Sequence, residues 1–168
     1  MKKDFSKIKL FAMDVDGTLT DGKIYIGNDG EVMKAFNAKD GLGIKLLIKK
    51  GIVPIIITGR RSKIVTRRCE EIGITVLYQG ARDKADILKN VMAKYDCTPE
   101  QTVYIGDDMN DLSAMQTAGI TFAPADCAAA LLPYVDFVLT QKSGDAPVRE
   151  AIDIILENRL TLSDYESI

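Results

Sequence analysis

The chain has 168 residues, with 22 basic against 24 acidic side chains and no histidine. The length suits a single domain over residues 1–168, and the formal charge of -2, with basic residues scattered and adjacent arginines only at Arg60-Arg61 and Arg67-Arg68, makes nucleic acid a poor partner. The missing histidine removes Ser-His-Asp and Cys-His nucleophiles and nearly all zinc hydrolase sites, so hydrolytic chemistry must run on carboxylates and oxygen-ligated metal.

Cys69, Cys97 and Cys127 are far apart and have no Cys-x-x-Cys spacing, which indicates reduced, mostly buried thiols rather than a disulfide framework. The first residues carry charge with no apolar segment of signal length behind them. No later run approaches a membrane span. The expectation is a cytoplasmic protein with no membrane partner.

In chain order, Ile8 to Met13 is apolar almost throughout and reads as a parallel strand buried on both faces. Gly17 ends it, and Asp14 and Asp16, two positions apart, leave the same side of the backbone. Lys23–Ile26 and Glu31–Phe36 flank a Gly-Asn-Asp-Gly turn, the pattern of a β-hairpin. A helix from Lys39 to Lys50 closes at Gly51, and Val53–Thr58 follows as a second buried strand. Ser62 suits the cap of a helix carrying Ile64, Val65, Cys69 and Ile72. Thr75–Tyr78 is a third strand, Lys84 to Tyr95 a helix, Thr98–Gln101 a capped turn and Thr102–Ile105 a fourth strand. The remainder reads as a helix from about Asn110 to Ala118, a short strand near Ile120, a small helix near Leu131, a strand Phe137–Leu139 and a helix Val148–Asn158.

Strands alternating with helices predict an α/β fold, a Rossmann-like three-layer sandwich around a mostly parallel sheet. Only the hairpin interrupts the alternation. It forms a small flap, and no insertion is large enough for a cap domain.

Four segment ends concentrate chemistry. Two carboxylates as close as Asp14 and Asp16 need a cation or a shared proton, although a polar turn would also use an Asp-x-Asp-Gly stretch. Thr58-Gly59, taken alone, reads more readily as a helix-capping hydroxyl with a turn glycine. Lys84, in the first turn of its helix, opposes the helix dipole, a mismatch that favours a functional reading over a solvated one. Gly106-Asp107-Asp108-Met109-Asn110-Asp111 packs three carboxylates after a buried strand, and charge that dense wants a hard cation such as Mg²⁺.

Asp14-Val-Asp16-Gly17-Thr18-Leu19-Thr20 resembles the first motif of the haloacid dehalogenase superfamily, and the other three segments resemble its later motifs in order. The resemblance implies a nucleophilic Asp14 that carries an aspartyl-phosphate, and an Asp16 that acts as general acid and base. It also implies phosphate binding by Thr58, Gly59 and Lys84. The metal would be held by Asp14, the Asp16 carbonyl and Asp107, with Asp108 and Asp111 positioning metal waters or Lys84.

The chain is most similar to the capless subgroup containing 3-deoxy-D-manno-octulosonate 8-phosphate phosphatase and its relatives on nine-carbon sugar acid phosphates. The similarity lies in Met13 to Gly22, Asn37-Ala-Lys39-Asp40-Gly41, Thr58-Gly59-Arg60 and the Gly106–Asp111 stretch. The tail departs from that subgroup's glycine-rich pattern, having Ser143-Gly144-Asp145-Ala146-Pro147 before Val148-Arg149-Glu150. The resemblance implies a Mg²⁺-dependent phosphatase for a phosphorylated sugar acid. The alternatives are a broad-specificity sugar phosphatase, or an inactive assembly module beside a sugar nucleotidyltransferase.

Arg60 and Arg149 suit a substrate carboxylate. With no lid of its own, the chain is expected to form a homo-oligomer, most simply a tetramer. Ile24, Ile26, Val32 and Phe36 of the hairpin would pack on copies, and a neighbour's tail would cover the site, the alternative being that the hairpin folds onto its own subunit.

Overall fold

The computed structural model describes residues 3–157 and 159–166. Its strands and helices, in chain order, begin with β1 (Leu10–Met13), β2 (Tyr25–Gly27), β3 (Gly30–Met33), α1 (Ala38–Lys49) and β4 (Val53–Thr58). Next come α2 (Lys63–Ile72), β5 (Val76–Gln79), α3 (Lys84–Lys94), β6 (Thr102–Ile105) and α4 (Leu112–Met115). The last are β7 (Ile120–Ala123), β8 (Phe137–Val138), α5 (Pro147–Ile155) and α6 (Leu162–Tyr165).

Six strands form one parallel sheet in the order β5-β4-β1-β6-β7-β8, while β2 and β3 form a separate antiparallel hairpin. β1 is central, which is why all four of its residues are buried. Alternate side chains leave opposite faces. Phe11 and Met13 enter one cluster with Ile44 and Leu47 of α1, Val65 and Cys69 of α2, and Ile152 of α5. Leu10 and Ala12 enter the other, with Leu88 and Val91 of α3 and Met115 of α4. The result is the three-layer α/β arrangement expected from the alternation. Truncating a residue as enclosed as Phe11 to alanine costs about 3–5 kcal/mol.

Side chains fix where the helices begin. Asn37 accepts from Lys39 N, Ser62 Oγ from Val65 N at 3.2 Å, and Asp83 Oδ1 from Asp86 N at 2.9 Å. After β6 the expected helix is shorter. A 3₁₀ turn over Met109–Asp111, capped by Asp108, hands over to the four-residue α4. α5 begins one residue before the expected Val148 and ends at Ile155 with Leu156 as its cap, short of the expected end at Asn158, which itself lies outside the described residues.

The hairpin strands are also shorter than expected, and Phe36 is not on the exposed face. It packs half-buried on the core beneath the Arg68 guanidinium, 5.8 Å from its ring centroid, because the chain has already turned toward α1. Met33 joins Ile24, Ile26 and Val32 as an exposed apolar residue of the hairpin. The three thiols are free, with Cys69 buried and Cys97 and Cys127 half-buried. Among the described residues, no helix is long and apolar enough to cross a membrane.

Candidate active site

β1 pairs with β4 on one side and β6 on the other, with Met13 level with Ile56 and Ile105. The residues just past these strand ends therefore meet in one crevice, the place where open parallel sheets collect ligand-binding groups. Asp14 follows β1, with its N–H donating to Ile105 O at 3.1 Å, and Asp107 follows β6. Thr58, the last residue of β4, is buried, while Gly59 and Arg60 after it are exposed.

Gly17 makes the first turn possible twice over. Its φ is +86°, and a Cβ there would lie 2.0 Å from Asp107 Oδ2, so only glycine lets this loop rest against the second acidic segment. Ser143 Oγ then donates to Gly17 O, and Gly144 N donates to Thr18 O at 3.3 Å. The tail segment that departs from the subgroup pattern thus braces the first motif.

Lys84, the first residue of α3, extends inward rather than into solvent. Its Nζ is 2.9 Å from Asp14 Oδ2 and 2.7 Å from Asp111 Oδ1, and the side chain is buried. Asp111 is fully buried and also accepts from Tyr104 Oη at 2.7 Å and Asp107 N at 3.1 Å. Burial, reinforced by the neighbouring Asp111 charge, pushes the Asp14 carboxyl up to about 6 despite Lys84. Burial and the charges of Asp111, Asp14 and Asp108 push Asp107 up to about 7. Burial works against a charged Lys84, but Asp14 and Asp111 together hold its ammonium above the usual lysine range.

Carboxylates raised this far want a cation. Oxygens of Asp14, Asp107 and Asp111 all lie within 4.8 Å of one another. Both oxygens of Asp111 are engaged by donors, whereas Asp14 Oδ1 is buried with no hydrogen-bond partner. Asp14 and Asp107 therefore have oxygens to give. An all-oxygen, anionic donor set fits Mg²⁺. Asp108 is exposed and caps Met109 N at 2.7 Å.

Asp16 is half-buried, and its two oxygens differ. Oδ1 accepts from Lys34 Nζ, while Oδ2 is buried without a hydrogen bond, 3.9 Å from Arg60 Nε. Lys34 escaped the sequence reading because a lysine beside a hairpin strand ordinarily reads as solvated. Tyr104 escaped it too, since an aromatic in a buried strand reads as core. Arg149 is not brought to this crevice in its own chain. Its N–H donates to Asp40 Oδ1 at 2.7 Å and its Nε to Asp153 Oδ1 at 2.8 Å.

Residues 73–152 match the haloacid dehalogenase-like hydrolase family. A 3-deoxy-D-manno-octulosonate 8-phosphate phosphatase of Yersinia pestis is 46% identical over 151 residues, covering 90% of this chain and 81% of the relative. This chain belongs to the haloacid dehalogenase superfamily, in the subgroup of these phosphatases. Among solved superfamily structures, the cobalt-bound deoxy-D-mannose-octulosonate 8-phosphate phosphatase of Haemophilus influenzae has a TM-score of 0.92 at 36% identity, covering 97% of this chain and 99% of that one. The Moraxella catarrhalis 3-deoxy-D-manno-octulosonate 8-phosphate phosphatase, solved with a magnesium ion, a phosphate ion and a KDO molecule, has a TM-score of 0.88 at 40% identity over 91% of this chain and 88% of that one.

Proposed function

We propose that this chain is a Mg²⁺-dependent phosphatase hydrolysing the phosphate monoester of a sugar acid, 3-deoxy-D-manno-octulosonate 8-phosphate or a nine-carbon analogue, through an aspartyl-phosphate. The observation that carries this reading is the state of Asp14. One of its oxygens is held by Lys84 and the other is buried with no partner, at the end of the central strand. A carboxylate so placed can attack phosphorus, and the cost of its burial is relieved when phosphate and cation arrive.

In the first step a bond forms between an Asp14 oxygen and phosphorus while the ester O–P bond breaks, and Asp16 gives its proton to the departing alkoxide. In the second step Asp16 takes a proton from water as the water oxygen bonds to phosphorus and the Asp14 O–P bond breaks, releasing inorganic phosphate and restoring the Asp14 carboxylate. Lys84 offsets charge on Asp14 and the phosphoryl oxygens, while Thr58 and the backbone around Gly59 bind those oxygens. Asp14, Asp107 and the Asp16 carbonyl would hold Mg²⁺, with Asp108 near its waters and Asp111 fixing Lys84. The bound ion supplies charge neutralisation and orientation of the phosphate oxygens.

Identity to octulosonate-phosphate phosphatases over most of the chain supports the substrate class. So does Arg60, exposed beside Asp16, where a substrate carboxylate would be welcome. The same reading makes the active form a cytoplasmic homo-oligomer, with Arg149 serving a neighbour's site.

Turnover of 3-deoxy-D-manno-octulosonate 8-phosphate, a nine-carbon sugar acid 9-phosphate and hexose 6-phosphates tests it. A kcat/KM at least about tenfold higher for an acidic sugar phosphate is expected, a gap of about 1.4 kcal/mol. Equal values across the panel would establish the broad-specificity alternative. No turnover of any ester would establish the inactive one.

A further inference from the structure

The hairpin contributes one charged side chain to the catalytic crevice. Lys34 follows β3 directly, and its side chain is only 1% exposed. Its Nζ donates to Asp16 Oδ1 and lies 3.0 Å from Glu31 Oε1. The other Glu31 oxygen accepts from Ser62 Oγ, the hydroxyl that caps α2. An ammonium so far removed from water persists only where anionic partners compensate its desolvation. Glu31 is the lasting anion, and Asp16 Oδ1 accepts from Lys34 whether or not the proposed acid–base residue carries a proton on its other oxygen.

The consequence lies in how the two oxygens of Asp16 are divided. A carboxyl turns easily about its last bond, since that torsion is broad and two-fold, so an unheld group would present either oxygen over a range of angles. Proton delivery needs a fixed one, within about 3 Å of the accepting atom. Lys34 engages Oδ1, and Oδ2 remains without a hydrogen bond. Glu31, bonded to the α2 cap, keeps Lys34 from following any movement of the carboxyl.

We propose that Lys34 is a positioning residue for Asp16, holding Oδ1 so that Oδ2 is the oxygen that delivers the proton to the leaving alkoxide. The proposal rests on the acid–base reading of Asp16 given above. As the Asp14–phosphorus bond forms and the ester O–P bond breaks, the proton on Asp16 Oδ2 passes to the ester oxygen. Lys34 keeps its own protons throughout.

The test is leaving-group dependence. Protonation matters for a primary alkyl phosphate, whose alkoxide is a poor leaving group, and hardly for p-nitrophenyl phosphate. The ratio kcat/KM reports the steps up to transfer onto Asp14, so it isolates this proton from the later hydrolysis. Lys34→Met and Lys34→Gln are both made, with circular dichroism to confirm that at least one folded variant without the ammonium is in hand. That variant should lose about tenfold or more in kcat/KM on the alkyl ester and less than about threefold on the aryl ester, against the ~10²–10⁴-fold that general acid catalysis supplies.

Lys34→Arg, which retains a donor, should recover most of the alkyl activity. Asp16→Asn serves as the reference. If it depresses both esters equally, the acid reading of Asp16 fails and takes this proposal with it. If Asp16→Asn is selective for the alkyl ester and the Lys34 variants are not, only the role of Lys34 is overturned.

Discussion

Lys84 is shared between two carboxylates and lies closer to the one that does not face the crevice. Its Nζ is 2.7 Å from Asp111 Oδ1 and 2.9 Å from Asp14 Oδ2. Asp111 also takes the Tyr104 hydroxyl and the Asp107 N–H, so it fixes both the cation and the second acidic loop from a fully buried position. Gly106 leaves it room, since a Cβ there would fall 2.4 Å from the Asp111 carboxyl carbon.

Removing that anchor should be costly in two ways. Asp111→Ala leaves the buried Lys84 ammonium with one partner fewer and the Tyr104 hydroxyl with none, a loss of about 3–5 kcal/mol. A lower midpoint in urea together with a kcat reduced by at least tenfold is expected. Asp111→Asn keeps the shape and should lose less stability than activity. Wild-type kcat in either variant would refute the anchoring role.

The nucleophile is tested by Asp14→Asn. The amide cannot form the acyl phosphate, so turnover should vanish, while its oxygen can still accept from Lys84 and the fold should be retained. Substantial turnover in this variant would end the aspartyl-phosphate mechanism.

Dependence on metal has a readout apart from activity. A cation that binds only the folded chain raises its melting temperature by mass action. Mg²⁺ should therefore stabilise the chelated protein as well as restore its turnover, and Asp107→Asn should abolish most of that thermal shift. An equal shift in the variant would place the ion elsewhere.

Most of the sheet was legible because buried parallel strands such as Leu10–Met13 and Val103–Ile105 are apolar on both faces and end where Asp14 and Asp107 begin. Lys84 was legible as a charge set against its helix dipole. Lys34 and Tyr104 were not, since their roles come from tertiary placement and neither residue type is unusual at its local position. The helix after β6 was legible, but its shortness was not, for a related reason. Asp108 caps Met109 after a tight turn, and Asp111 is needed beneath Lys84, which leaves only Leu112–Met115 to continue as helix.

Asp40 supplies a prediction in pH. It sits in the first turn of α1 with Oδ1 on Arg149 N and Oδ2 buried without a partner. Burial pushes its carboxyl up to about 7 from 3.8, against the Arg149 N–H bond and the nearby Arg68 and Arg149 charges. Below the lower value, folded and unfolded chains both hold the proton. Between about 4 and 7 the unfolded chain releases it first, so stability falls as pH rises, by at most ~4 kcal/mol, and levels off above. Asp40→Asn lacks this dependence. The unfolding free energy of wild type minus that of the variant should therefore fall between pH 4 and pH 8, and parallel profiles would show that Asp40 is ionised in the fold.

The hairpin yields the prediction on assembly. Ile26 is 71% exposed and Val32 61% exposed, on a two-stranded sheet separate from the main one. Such a hairpin is marginal by itself. Lys34 and Glu31 tie its base to Asp16 and α2, but nothing among the described residues covers its apolar face. Copies of the chain would cover it, and light scattering at assay concentration should report a tetramer. Ile26→Lys combined with Val32→Lys should lower that mass and weaken activity on the acidic sugar phosphate. Arg149→Ala should raise KM for the acidic substrate more than for a neutral one in the assembled protein, and add nothing once the hairpin variant has dissociated it. That last comparison is the sharper one, because Arg149 pairs with Asp153 in its own chain and the proposed role has it serve a neighbour's site. A fully active wild-type monomer would remove both the assembly and the role of Arg149.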